Sequence, residues 1–419
     1  MFAIFLFAPQ PVKFEFFIRP DVICPFFAAL SFFLLVRFLL AWRTGGGSRR
    51  MLAFGMSAVF FSFVLPSLKP SYWLSAIFTT IPIWCFFFSR REKLLHRFLV
   101  ILIPGTAVWL LLVLPEQRSS RSDEVSHTFP PQSVFSIHAV IIRKQIAADV
   151  ATPDPAVPYS QKTLRSTLAL LDEGIANARR NSPGHMQSLD CNADYLLYRD
   201  PFFTKMADGE LQKSEPRIEF YRYYFQRAWR KMPGAMLHKV GIQLAMFYNL
   251  HCPAYDGHSF ELKKNYVISL EQFEVPDYHA ELVAWPPALY YMASVAELEN
   301  RGATIHAPKF LAFILDRLGN CYMPGLIAWL ATLPWLCWRA DRRARFGLCA
   351  AILAVGYAYN FGNNLGIAIL HTLEIGRYSI VQFATTLITE TLTGIFLFEV
   401  FATAIPLSFS RAKKASYTP

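Results

Sequence analysis

Apolar residues in this chain gather into long, nearly unbroken blocks rather than recurring at the spacing of a surface helix. Blocks at 21–41, 51–68, 71–89, 95–115 and 310–338 approach the roughly 20 mostly apolar residues that a helix needs to cross lipid. Two more fit between 346 and 408, where polar interruptions blur their ends. Lipid tolerates no unpaired backbone, so the pattern predicts an all-α polytopic membrane protein with about seven transmembrane helices. Between Pro115 and Pro308 the blocks stop, and a large, mainly helical insertion is expected instead.

Inside that insertion, Glu116 to Pro131 is charged, Ser-rich and closed by Pro130 and Pro131, which reads as a linker. Val134 to Asp149 has helical periodicity and carries His138, Arg143, Gln145 and Asp149. Lys162 to Arg180 reads as a helix stopped by Asn-Ser-Pro-Gly, and Arg217–Trp229 and Gly234–Tyr248 as two further amphipathic helices. Asn265 to Leu270 suits a short strand. The expected organisation is a four-helix membrane region at 21–115, an extracytoplasmic domain at 116–307, a three-helix membrane region at 308–410 and a basic tail at 411–419. Residues 1–20 fit none of these, because the apolar run Met1–Ala8 is too short to span. They read as an interfacial segment or as the end of a preceding helix missing from the sequence.

The formal charge of +11 suggests nucleic acid until the charges are placed. They flank the apolar blocks: Arg43, Arg49 and Arg50; Arg90, Arg91, Lys93 and Arg97; Arg339, Arg342, Arg343 and Arg345; Arg411, Lys413 and Lys414. One alternating topology puts all four clusters in the cytoplasm, as the bias of basic residues toward cytoplasmic loops requires. The insertion then falls outside, in the periplasm if the membrane is a bacterial inner membrane. Nucleic acid is not an expected partner, whereas membrane lipid is.

Candidate chemistry lies where polar groups interrupt the apolar blocks, since ionisable side chains at membrane depth are costly unless they face protein, water or a partner. Asn360, Asn363 and Asn364 surround Gly362, and a kink or break is expected there. His371, Glu374 and Arg377 follow at three-residue steps, so a helix would align them beside Tyr378 at the outer face. Glu390 sits deeper in the last block, where it either joins helices or transfers protons. Asp316, Arg317 and Asn320 lie near the outer part of the 310–338 block. In the insertion, Arg222 belongs to a basic aromatic tract suited to lipid heads or a diphosphate, and Lys239 and Gln243 could extend that surface. Cys191 and Cys252 are its only cysteines and could form a disulfide. His251, Cys252, Asp256 and His258 cluster, but their spacing matches no compact metal signature, and a hydrogen-bonded loop explains them better.

The ending around His371, Glu374, Arg377 and Tyr378, followed by another apolar span, resembles the Arg-Tyr-containing carboxyl regions of GT-C type membrane glycosyltransferases. Those enzymes use polyprenyl-phosphate sugars on the extracytoplasmic side. The resemblance implies that Arg377 contacts the lipid-linked phosphate of a polyprenyl-linked sugar, with a glycan or lipid as acceptor. The family's catalytic carboxylate usually follows an early membrane helix, and this chain departs from that, since Asp21 precedes a full span. Asp316 and Glu374 are therefore the expected catalytic carboxylates, with His371 orienting one of them and Tyr378, Arg317, Asn320, Asn363 and Arg222 helping to bind substrate. No cofactor is implied. A transporter or lipid flippase using the Asn360–Asn364 break, and an assembly or receptor protein, are the alternative classes.

Overall fold

The computed structural model describes residues 1–10, 20–45, 48–90, 92–122, 124–181, 186–208, 211–261, 284–301 and 304–415. Among them, six helices are long and apolar enough to cross a membrane: Ile23–Arg43 (α1), Arg49–Leu68 (α2), Leu94–Arg118 (α5), Lys309–Trp338 (α12), Ala340–Leu370 (α13) and Phe383–Thr403 (α15). Pro70–Thr79 (α3) and Ile81–Phe88 (α4), which meet at a 41° bend, form either a broken seventh span or a re-entrant loop. Pro82, at the second position of α4, cannot donate a hydrogen bond back into α3, and the bend falls there. This is a multi-pass membrane protein whose spans flank a large helical region.

Three of the basic clusters share one end of the bundle. Arg43 donates to the carbonyl of Ala344, and Trp42 Nε1 to Glu92 at 3.0 Å, which brings together the connections after α1, α4 and α12. The helical region sits at the opposite end.

That region is built from Glu124–Ile137 (α6), Ala139–Ala151 (α7), Gln161–Asn181 (α8), Ala193–Tyr198 (α9), Ser214–Lys231 (α10) and Pro233–Phe247 (α11), with shorter pieces between. Leu164, Leu171, Ile175 and Ala178 line one face of α8 and are buried against Ile142, Ile146, Phe202 and Phe220. Residues 116–122 and 124–131 are helical rather than a linker. Their continuation places Phe135, fully buried, with its ring 4.9 Å from that of Tyr221, so packing outweighs the two prolines. The strand expected at 265–270 lies outside the described residues. A small antiparallel ladder joins Ser259–Glu261 (β1) to Thr304–His306 (β2).

The basic aromatic tract is divided: Arg217, Tyr221, Tyr224 and Arg227 are buried in the core, while Arg222, Arg230 and Lys231 are exposed. Tyr221 and Tyr224 are buried in α10, and Arg227 makes a two-pronged contact with Asp149 at 2.7 and 2.8 Å and another with Asp154 at 2.8 Å. Cys191 and Cys252 are free thiols and do not form the expected disulfide. Cys191 belongs to the core of the helical region and Cys252 to the core formed by α12, α13 and α15, so the two lie in separate packing units. Burial pushes the Cys191 thiol up to about 11.

No break occurs at Asn360–Asn364, because α13 runs unbroken from Ala340 to Leu370. Gly362 and Gly366 instead admit α3 to close contact. A Cβ on Gly362 would lie 2.7 Å from the Ser75 nitrogen, and one on Gly366 would collide with the carbonyl of Ser71. Ser75 seals the contact by donating to the Tyr359 carbonyl at 2.8 Å.

Candidate functional site

The site forms where α13 ends. A helix leaves its last carbonyls unpaired, and a cation there also meets the negative end of the helix dipole. Lys239 supplies both from α11: its Nζ donates to the carbonyl of Ala368 at 2.6 Å and to that of His371 at 3.1 Å. It is 3 % exposed, and burial pulls its ammonium down to about 7 against the opposing pull of Glu374. Beyond the cap, Thr372 Oγ1 accepts from the Glu374 nitrogen at 3.1 Å, a local turn that leads into the short helix Gly376–Ile380 (α14).

His371, Glu374 and Arg377 therefore do not share one helix, and their side chains part company. Glu374 turns toward the helical region, accepting from the Ser188 nitrogen at 2.8 Å and from the Ser188 hydroxyl, which Gln243 supports at 3.2 Å. His371, Arg377 and Tyr378 stay together. The His371 and Tyr378 rings stack with centroids 5.1 Å apart, and Arg377 Nη2 donates to the Tyr378 hydroxyl at 2.9 Å. Two cations flank the Tyr378 ring, the Arg377 guanidinium at 4.8 Å and Lys69 Nζ at 4.7 Å from its centroid. Lys69 immediately precedes α3, so the close contact of α3 with α13 is what delivers it.

These three side chains line one wall of a cavity of about 380 Å³, within the range of small-molecule sites. The opposite wall comes from the helical region: Ser133 and Ser136 on α6, and Asp194 and Tyr198 on α9. Asp194 occupies the first turn of α9, whose N-cap Asn192 accepts from the Tyr195 nitrogen at 2.9 Å. Behind α6, His138 is fully buried, and desolvation, with Lys239 adding to it, holds its imidazole well below the usual histidine range. The cavity thus sets Arg377 and a histidine on the membrane side against a carboxylate and hydroxyls on the other, with Lys69 beside the lining Tyr378 ring.

The remaining predicted site residues lie elsewhere. Asp316 is 3.5 Å from His258, Asn320 meets His251 at 3.0 Å, and His251 also contacts Asp256 at 2.9 Å. The His251–His258 cluster is therefore a hydrogen-bonded loop, as its spacing suggests, and it clasps the 251–258 segment to α12. Arg317 rests over the Phe313 ring at 4.9 Å, and Arg222 is exposed on α10; neither lines the cavity. Glu390 accepts from the Tyr255 hydroxyl at 2.6 Å within the bundle, and Asn363 is buried on α13. Asp194 and Lys69 were not foreseen. An acidic residue in a first helical turn looks like dipole compensation, and a lysine at a span end looks like an interfacial anchor, so neither carries a distinguishing signal. Comparisons with models of known families, with curated proteins and with solved structures give no match to this chain.

Proposed function

We propose that the chain transfers a glycosyl group from a polyprenyl phosphate or diphosphate to a glycan or lipid acceptor, on the extracytoplasmic side of a bacterial inner membrane. The observation that carries this reading is a cavity with Arg377, His371 and Tyr378 on one wall and Asp194 on the other, with Lys69 against the Tyr378 ring. Arg377 holds the phosphate oxygens by charge-assisted hydrogen bonds, His371 assists beside it, and Lys69 adds positive charge from beside the Tyr378 ring. Asp194 takes the acceptor hydroxyl proton as the acceptor oxygen bonds to the anomeric carbon and the carbon–oxygen bond to phosphate breaks. The departing lipid phosphate keeps its negative charge against the two cations.

Asp194 replaces Asp316 and Glu374 in this mechanism, because it lines the cavity and they do not. A second cavity of about 290 Å³, lined by apolar side chains including Val59, Phe63, Ile83 and Trp109, opens among α2, α4 and α5 and suits hydrocarbon. For the transport alternative, a central substrate site at a break in Asn360–Asn364 loses its support, since α13 is continuous there, while its polar pathway through the last helices stays open.

The test is transfer of radiolabelled sugar from a synthetic polyprenyl-phosphate donor by protein reconstituted in liposomes. Retention of label in the donor by wild type across a panel of donor sugars and acceptors would refute the reading.

A further inference from the structure

A seam of buried polar side chains leads from the cavity into the membrane half. On α15 and the turn before it, Gln382, Thr386 and Glu390 recur at four-residue steps on one face and are 1 %, 0 % and 8 % exposed. The facing helix α13 answers with asparagines. Asn364 accepts a hydrogen bond from Gln382, and Asn360 accepts one from Thr385 at 2.9 Å while donating to Tyr322 at 3.2 Å.

Asn360 is thus satisfied by protein on both sides of its amide. Asn363, equally buried, is not: neither its Nδ2 nor its Oδ1 has a protein partner. Exchanging the amide oxygen and nitrogen changes nothing, because both are orphaned. Ser379 Oγ, Gln382 Oε1, Thr386 Oγ1 and Glu390 Oε1 are in the same condition. Buried polar groups in folded proteins almost always find partners, so a concentration of orphans along one seam points to a ligand. The orphans include an amide donor, Asn363 Nδ2, as well as oxygen acceptors. A cation would match only the oxygens, whereas water gives and takes hydrogen bonds and matches both. The seam starts at Ser379, next to the cavity-lining Tyr378, and reaches Glu390, around which stand Tyr255, Cys252 and Tyr357.

We propose that this seam holds a file of ordered water that joins the cavity to Glu390 and opens that intramembrane carboxyl to proton exchange from the cavity side. The inference stands on the orphaned groups and is independent of the reaction carried out in the cavity.

Water-edited solid-state NMR of protein labelled with 15N-asparagine, in lipid bilayers, tests it directly. Exposed Asn249 and fully bonded Asn360 serve as wet and dry references, and the loss of one side-chain amide signal in Asn363→Leu assigns that residue. The expected result is water transfer to Asn363 at a rate comparable with Asn249 and several-fold faster than to Asn360; a rate equal to that of Asn360 overturns the proposal. Infrared difference spectra between wild type and Glu390→Gln, recorded in H2O and D2O, then test the reach of the file. Deuteration of the Glu390 carboxyl is expected on the timescale of buffer exchange, and a carboxyl that holds its proton after buffer exchange overturns the proposal even where Asn363 is wet. Thermal stability gives a third reading that needs no assignment: a dry orphaned amide predicts that Asn363→Leu raises the unfolding temperature, and a hydrated one predicts that it does not.

Discussion

Lys239 Nζ lies 3.1 Å from the His371 carbonyl and so ties α11 to the exact turn that carries the cavity's histidine. Its ammonium is pulled down to about 7 by burial, while in an unfolded chain a lysine titrates near about 10.4. Between these values the unfolded state binds more protons, so stability should rise with pH from about 7 to about 10 and be insensitive to this group below that window. Unfolding temperatures across the window should show the rise in wild type and lose this component in Lys239→Met.

Contact between α3 and α13 should be intolerant of side chains. Gly366→Leu would drive α3 from its seat, with a cost above the roughly 1–3 kcal/mol usual for overpacking, because the obstacle is backbone. Gly347→Leu, on the same helix with open space around it, is the control. Thermal unfolding in detergent should separate the two, and Gly366→Leu should also weaken anion binding by displacing Lys69.

Arg227 and Asp149 form a buried pair, 8 % and 3 % exposed. Removing one partner leaves an uncompensated charge, so Arg227→Met should destabilise the helical region by about 3–5 kcal/mol. Adding Asp149→Leu should restore part of that loss, a coupling that a double-mutant cycle on unfolding free energies measures directly.

Both cysteines of the helical region and its neighbouring segment are thiols in separate cores. Alkylation after denaturation without reductant should modify Cys191 and Cys252 alike, and reductant should leave the unfolding temperature unchanged. A peptide mass corresponding to a Cys191–Cys252 link would contradict the structure.

The spans were legible in sequence because one signal, a long apolar block, suffices for each. The bend after Thr79 and the continuity of α13 were not legible, for a shared reason: Gly362 reads locally as a breaker, and only the neighbouring α3 reveals that it is a contact surface. At the site, Arg377, Tyr378 and His371 could be found because they interrupt an apolar stretch. Asp194 and Lys69 could not, since each sits where charge is ordinary and gains its meaning from a wall supplied by a distant part of the chain. Glu374 shows the converse: its three-residue spacing suggested alignment with His371 and Arg377, but the helix ends at Leu370 and the side chain goes to Ser188.

The proposed role of the cavity is tested most directly by sugar transfer from a polyprenyl-phosphate donor, comparing wild type with Arg377→Ala, Asp194→Asn and Asp316→Asn. Loss of a charged hydrogen bond in Arg377→Ala should weaken donor binding by about ten-fold to a hundred-fold, from roughly 1.5–3 kcal/mol. Loss of the base in Asp194→Asn should lower turnover by about 10²–10⁴-fold while donor binding persists. Asp316→Asn should behave as wild type. Full activity in Asp194→Asn together with its loss in Asp316→Asn would contradict this account and move the chemistry to the α12 clasp.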